Sequence, residues 1–125
     1  MVTVHRTLAF VVVLLALGGA LWAAENWLRR GSVSSRLMTL TIGMSAVIGL
    51  QAVFGIVLAI QGYRPDDGAT HFVVGPLTLF VLPIGRRLAG DGANRRSAGI
   101  LTIAWVLLLA LALRAVGSGG GLTPS

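Results

Sequence analysis

The sequence predicts an all-α integral membrane protein, a four-helix bundle with both termini on the outer side of the membrane (N-out, C-out). Of its 125 residues, 55% are apolar and only 11% are charged. Four long apolar stretches run through the chain, and most of its arginines lie in the short polar segments beside them. A bilayer core ~30 Å thick is crossed by about 20 helical residues. The predicted spans are residues 7–28, 37–61, 70–88 and 97–116.

The segments between the spans are short and contain residues that end helices. Gly31 to Ser35 separates the first two spans, a turn with Pro65 separates the next two, and Gly90-Asp91-Gly92 precedes the last. These connections leave no room for a soluble domain. The tail 117–125 is rich in glycine and serine, with little apolar surface to bury, and is predicted to be disordered.

The basic residues predict contact with the lipid bilayer and exclude nucleic acid as the expected partner. The net charge is +6, but these residues flank membrane spans, where they set orientation and meet anionic headgroups. Cysteine is absent, which excludes disulfides, thiolate metal sites and thiol catalysis. The all-arginine basic complement and the many Ala, Gly and Val residues indicate a GC-rich prokaryotic genome. The predicted location is therefore the prokaryotic plasma (inner) membrane.

The orientation follows from the positive-inside rule. The first and third connections contain seven arginines, and the opposite side has three, so the seven are predicted to face the cytoplasm. The larger group is Arg29, Arg30, Arg36, Arg86, Arg87, Arg95 and Arg96, and the smaller group is Arg6, Arg64 and Arg114. In the alternative interpretation, Met1 to Ala24 is a cleaved signal peptide; the length of its apolar run and the arginines that follow it favour a retained span.

Small side chains form the predicted packing face of the second span. Thr41, Ser45, Gly49, Ala52 and Ala59 share one side of the helix, and small residues let helices approach closely in lipid. Such a face contacts either the rest of the bundle or a partner, which would be a second copy or a larger complex. In the fourth span, Trp105 falls near the membrane centre and is predicted to pack inward or against another subunit, because its indole N–H needs an acceptor.

His71 and Gln51 are the candidate ligand-binding residues. Gln51 lies near mid-membrane, where an amide needs hydrogen-bond partners, as a structural clamp or a ligand contact. His71 opens the third span, and Gly75 follows it one turn later on the same face. That arrangement would let a porphyrin approach the helix while the imidazole binds its iron. Alternatively, His71 hydrogen-bonds to Asp66, Asp67 or water at the membrane interface.

The segments Leu50-Gln51-Ala52-Val53-Phe54-Gly55 and His71-Phe72-Val73-Val74-Gly75 resemble a helix pair of the haem A synthase family. These membrane enzymes oxidise haem O for cytochrome oxidase, and their pattern is LQ-xxx-G, a loop, then H-xxx-(A/G). The positions of this chain that match the family pattern are Gln51, Gly55 and His71. The resemblance implies haem as a cofactor, with His71 as axial ligand.

The chain also departs from that family. Its members ligate each haem with histidines from two helices, and the catalytic type has an acidic residue near one of them. Here the nearest acids are Glu25, at the end of the first helix, and Asp66 and Asp67 in the loop, and His5 is the only other histidine. Catalysis is therefore not expected. In the N-out topology His5 and His71 lie on the same side, where both could bind one haem.

Three classes of function remain. The preferred one is a small non-catalytic accessory subunit that packs on a larger respiratory or photosynthetic membrane complex. The alternative is a haem-binding membrane protein that uses His71. A transporter or channel is the weakest, because the spans lack the ionisable residues that ion transport usually needs.

The orientation can be tested with a reporter that is active only in the cytoplasm. Fused at Gly90, in the third connection, it should be active, because four arginines hold that connection inside. The same reporter fused after Ser125 should be silent. The opposite pattern would show that the arginine distribution does not set the topology of this chain.

Overall fold

The computed structural model describes residues 2–119 and 123–124, and four long helices dominate it. α1 spans Val2–Glu25 and continues as a π-helical turn over Asn26–Arg30. α2 spans Ser35–Ile60, α3 spans Gly68–Ala89 and α4 spans Arg95–Ser118. All four are long and apolar enough to cross a membrane. The predicted all-α, four-helix membrane fold is confirmed, whereas the side that each terminus faces stays a prediction.

The helices extend beyond the predicted spans at the ends near the two termini. α1 begins at Val2, so His5 lies inside it. α4 includes Gly117 and Ser118, so these two residues do not belong to a disordered tail. Farther along, Thr123 and Pro124 (β2) pair antiparallel with Tyr63 and Arg64 (β1). Residues 120–122 and 125 lie outside the described residues, and their predicted disorder stays a prediction.

The helices follow one another around the bundle, and α4 packs extensively against both α3 and α1. α1 and α3 therefore face each other across a diagonal. One end of the bundle, here called the histidine end, contains the start of α1, the loop between α2 and α3, and the last turn of α4. The arginine end contains the first and third connections.

Trp105 lies at the centre of the core. Its side chain is 0% exposed, and its indole Nε1 donates a hydrogen bond of 3.1 Å to Thr41 Oγ1 on α2. Gly19 on α1 lies directly against the ring. Trp105 thus packs inward, one of the two predicted alternatives. Around it are large residues mainly from α2, α3 and α4 and small ones from α1: Leu37, Met44, Leu82, Leu101, Leu108, Ala16, Ala20 and Ala23.

Hydrogen bonds close the connections at the arginine end. Asn26 is buried, and its Oδ1 accepts 2.7 Å from the Ser34 backbone N–H, while its Nδ2 donates to Trp22 O and Glu25 Oε2. The Ser34 hydroxyl then caps α2 by accepting from Leu37 N–H. The free N–H groups of a helix start need such acceptors. The first connection is therefore a hydrogen-bonded turn.

A neighbouring pair of glycines tests the packing of Trp105. A Cβ added at Gly19 would lie 2.3 Å from two ring atoms of Trp105, whereas one added at Gly18 would meet nothing within 4 Å. Gly19→Ala should therefore destabilise the protein by about 1–3 kcal/mol, the usual cost of overpacking. Gly18→Ala should be neutral or stabilising, because Ala is the better helix former. Thermal unfolding in detergent measures both; equal melting temperatures would contradict the packing.

Candidate functional site

The histidine end brings together three of the residues singled out in the sequence. His5 on α1 and His71 on α3 face each other across the bundle diagonal, with ring centroids 6.4 Å apart and an interplanar angle of 74°. Gln51 on α2 joins them through its hydrogen bond to His5. Because α1 begins at Val2, His5 lies on its first turns and not in a flexible leader. These residues form the His5–Gln51–His71 cluster.

His5 is held mainly by α2. It is 9% exposed, and its backbone carbonyl accepts a hydrogen bond of 2.7 Å from Gln51 Nε2. Its ring lies over Gly55, where an added Cβ would be 3.2 Å from Cε1. Neither His5 Nδ1 nor Gln51 Oε1 has a hydrogen-bond partner among the described residues, although both atoms are buried. Buried polar atoms are rarely left unpaired, so these two require an explanation.

His71 is held by the last turn of α4. Its Nδ1 lies 3.0 Å from Ala115 O and 3.3 Å from Ser118 Oγ. The partners of Nδ1 within the protein are thus on α4, whereas Asp66, Asp67 and water were the expected ones. A carbonyl oxygen can only accept, so Nδ1 is the donor to Ala115 O, and in a neutral imidazole the lone pair is then on Nε2. Phe72 packs edge-on at a centroid distance of 6.0 Å.

Asp67 fixes the start of the helix that carries His71. Its carboxylate accepts from Thr70 N–H at 3.1 Å, and its own N–H donates to Ser118 O at 2.9 Å. Hydrogen bonds from Thr70 hold the pKa of the Asp67 carboxyl below its ordinary value, with a further contribution from the charge of Arg114. The ionised carboxylate is therefore the favoured capping form. Through Ser118, the start of α3 and the end of α4 are joined beside His71.

Gly75 is not part of the cluster. It lies one turn beyond His71 on α3, is half-buried, and an added Cβ would meet nothing within 4 Å. Its proposed role, a close approach to a porphyrin, is not tested by any contact of the described residues. The glycine that does meet an aromatic ring in this cluster is Gly55, and that ring is the His5 imidazole.

The predicted packing face of α2 only partly coincides with the side that packs within this chain. Thr41 is fully buried, but Gly49 has nothing within 4 Å of an added Cβ. At 100° per residue, the buried side is rotated by roughly a quarter turn from the predicted face. It consists of Leu37, Thr41, Met44, Ile48 and Leu58. The other predicted residues are half-buried at its edge: Ser45, Gly49, Ala52 and Ala59.

The two histidines of the cluster are spaced to bind the iron of a haem, but the cluster has no space for the porphyrin. At their separation, two imidazoles could offer nitrogen atoms to one iron, as in bis-histidine haem ligation. A porphyrin would have to pass between the rings as a wide flat disc. The flanking helices contact the rings directly, since Gly55 of α2 lies against His5 and Ala115 of α4 bonds to His71. The disc would overlap both helices, so the residues do not fit haem in this arrangement.

Two groups of residues that build the histidine end and the core were not predicted from the sequence. Ala115 and Ser118 orient His71, yet a span ending at 116 leaves Ser118 outside the helix. On α1, the small residues facing the core went unnoticed, although their spacing of three or four residues was visible: Ala16, Gly19, Ala20 and Ala23. That spacing signals a helix face that permits close approach.

Comparison of the chain with protein-family models, with curated proteins and with solved structures finds no match. The resemblance to the haem A synthase helix pair therefore stays a hypothesis that rests on the motif residues alone.

The fit of Gly55 against the His5 ring can be tested by a double-mutant cycle. Gly55→Leu should destabilise the protein by about 1–3 kcal/mol, because its side chain needs the space of the imidazole. His5→Ala opens that space and should restore part of the loss, giving a coupling energy of about 0.5–3 kcal/mol. Denaturant unfolding in mild detergent measures the cycle. Additive effects would show that the two residues do not share this space.

Proposed function

We propose that this chain is a small non-catalytic accessory subunit of a larger respiratory or photosynthetic complex in a prokaryotic plasma membrane. The observation that supports the proposal is a stripe of small residues on α2 that the other helices of the described chain cover only in part. Ser45, Gly49, Ala52 and Ala59 are half-buried, and Gly49 has open space above it. We call these four residues the α2 stripe.

The α2 stripe has the chemistry of a helix contact in lipid. Small residues allow two backbones to approach, and helix association in membranes depends on such van der Waals packing. The polar member, Ser45, already donates its hydroxyl to Thr41 O at 3.0 Å, so a partner need not supply an acceptor. A transmembrane helix of a partner subunit, or of a second copy, is therefore the expected occupant.

The rest of the chain also suits a packing role. The only acidic residue within the four helices is Glu25, at the end of α1, and the connections are too short to hold a soluble domain. Large apolar side chains are exposed along all four helices, as expected for a surface that meets lipid acyl chains or partner helices. These features support a subunit whose function is to fill and stabilise a membrane assembly.

Haem binding is the second candidate, and the separation of His5 and His71 is the observation that favours it. Against it stands the contact of α2 and α4 with the two rings. A haem-binding chain purified with ample haem should show a Soret band that His71→Ala abolishes. A colourless protein that takes up no haem would exclude this function.

Two glycines on α2 provide a matched test of the accessory role. Neither Gly49 nor Gly43 meets any atom within 4 Å of an added Cβ, but only Gly49 belongs to the α2 stripe. Gly49→Leu should leave the melting temperature of the isolated chain nearly unchanged and should strongly reduce its recovery in a larger assembly, because the bulky side chain separates the helices. Native mass spectrometry of gently solubilised membranes measures the assembly.

Gly43→Leu, on the other side of the same helix, should retain the assembly. If both variants assemble like the unmodified chain, or if the unmodified chain is found only as a monomer, the accessory role is wrong. If Gly49→Leu instead lowers the melting temperature of the isolated chain, the stripe packs within the bundle.

A further inference from the structure

Two buried polar atoms in the His5–Gln51–His71 cluster have no hydrogen-bond partner within the described residues. Gln51 Nε2 donates to the carbonyl of His5, which fixes the amide orientation and leaves Oε1 as the free acceptor. Gln51 Oε1 and His5 Nδ1 are both buried and unpaired. Since His5 is nine-tenths buried, its ring cannot turn to bulk water for a partner. Both atoms thus point to a ligand inside this end of the bundle.

His71 contributes a third donor atom. Its Nδ1 donates to Ala115 O, so in the neutral imidazole that binds a metal the lone pair is on Nε2. Metal-binding histidines are oriented in this manner, with one ring nitrogen bonded to a backbone carbonyl and the other free for the metal. The contact with Ser118 Oγ supports the same ring orientation.

The separation of the two rings matches a shared metal ion. A metal–imidazole nitrogen bond is about 2.0–2.1 Å long and the nitrogen lies about 1 Å from the ring centre, so two imidazoles on opposite sides of one ion have centroids about 6 Å apart. The observed separation is 6.4 Å. The rings are nearly perpendicular, with an interplanar angle of 74°, which is also the geometry of a T-shaped ring contact, so the unpaired polar atoms are needed to distinguish a metal site from such a contact.

We propose that His5 and His71 bind a monovalent copper ion, with Gln51 Oε1 as an auxiliary ligand. Imidazole nitrogen suits copper, zinc, iron and nickel, whereas magnesium and calcium prefer sets of oxygen ligands. The three donors are neutral, and the cost of placing an ion in a medium of low dielectric rises with the square of its charge. Cu(I) therefore suits the site better than a divalent ion does, and two opposed nitrogen ligands satisfy its preference for low coordination numbers.

The site is distinct from the proposed packing role and does not depend on it. It lies between α1 and α3 at the histidine end, whereas Gly49, the open position of the α2 stripe, is about a third of a turn around α2 from Gly55, which contacts the His5 ring. A bare ion occupies the space between two ring nitrogens, so it avoids the overlap with α2 and α4 that a porphyrin would cause. The same contacts that exclude the porphyrin hold the two imidazoles toward one another.

The test is titration of the full-length chain, made without a polyhistidine tag, with Cu(I) under anaerobic conditions against a chromogenic Cu(I) chelator. His5 and His71 are the only histidines and cysteine is absent, so background binding by these residue types is excluded. The expected result is one Cu(I) per chain and at least a 10-fold preference over Zn²⁺. X-ray absorption should show two nitrogen ligands with imidazole scattering.

Single substitutions locate the ion. His5→Ala and His71→Ala should each weaken Cu(I) binding by at least about 100-fold, more than the roughly 10- to 100-fold caused by loss of second-shell support. Gln51→Ala should weaken it by about 10-fold, while Gln61→Ala, at the exposed end of the same helix, should have no effect. Melting temperatures of the metal-free variants distinguish loss of the ligand from loss of the fold.

Several results would overturn the assignment. Absence of stoichiometric Cu(I) binding in the folded protein would reject the site, as would binding that survives both histidine substitutions. Tighter binding of Zn²⁺ would reject monovalent copper. A Soret band that needs both histidines would show that the helices part to admit haem. None of these outcomes depends on assembly through Gly49. The copper site and the accessory role can therefore fail independently, and each failure can be recognised by its own experiment.

Discussion

The buried indole of Trp105 is the contact on which the arrangement of the helices depends. In lipid there is little hydrophobic drive to bring helices together, so packing and interhelical hydrogen bonds must do so. Trp105 provides both, since its Nε1 donates to Thr41 on α2 and its ring lies against Gly19 on α1. The Thr41 hydroxyl in turn donates to Leu37 O, which completes its hydrogen bonding. One side chain of α4 thus fixes the positions of α1 and α2.

The Trp105 ring also determines which side chains the other helices can bury in the core of the bundle. α1 must come close, so it presents a face of small residues around Gly19. α2 lies farther from the ring and fills the remaining space with Met44 and Ile48. Close packing leaves few voids in such an interior. The small residues of α2 lie at the edge of this interior, and a Cβ added at Gly49 would meet no atom of the described residues within 4 Å.

The need of the Trp105 indole for an acceptor left two locations open, the bundle interior and another subunit, and Thr41 within the bundle supplies the acceptor. The sequence was sufficient to predict the four spans and their class, because apolar length acts locally. It was not sufficient to predict the rotation of α2. Small residues on one face are compatible with contact inside the bundle or outside it, and the choice depends on the volumes that α1 and α4 contribute. No single span carries that information.

The candidate site was predictable to a similar extent. The occurrence of His5 and His71 at one end follows from the even number of crossings, and the amide of Gln51 required a buried partner. The role of Gly55 was not predictable, because only the packing of α1 beside α2 brings the His5 ring over it. Nor was the contact of His71 with Ser118 Oγ, which exists because α4 continues two residues beyond the predicted span.

The two ends of the bundle differ in how completely their buried polar side chains are hydrogen-bonded. At the arginine end, Asn26, Ser34 and Asn94 use their side-chain oxygens to accept backbone N–H groups, and Asn26 Nδ2 also donates within its own turn. At the histidine end, the helix caps are also formed, but His5 Nδ1 and Gln51 Oε1 are buried without a hydrogen-bond partner among the described residues. A buried polar atom without a partner destabilises a fold by about 1–3 kcal/mol. The proposed metal ion would supply a partner to both atoms, whereas the polar side chains of the arginine end already have theirs in neighbouring backbone groups.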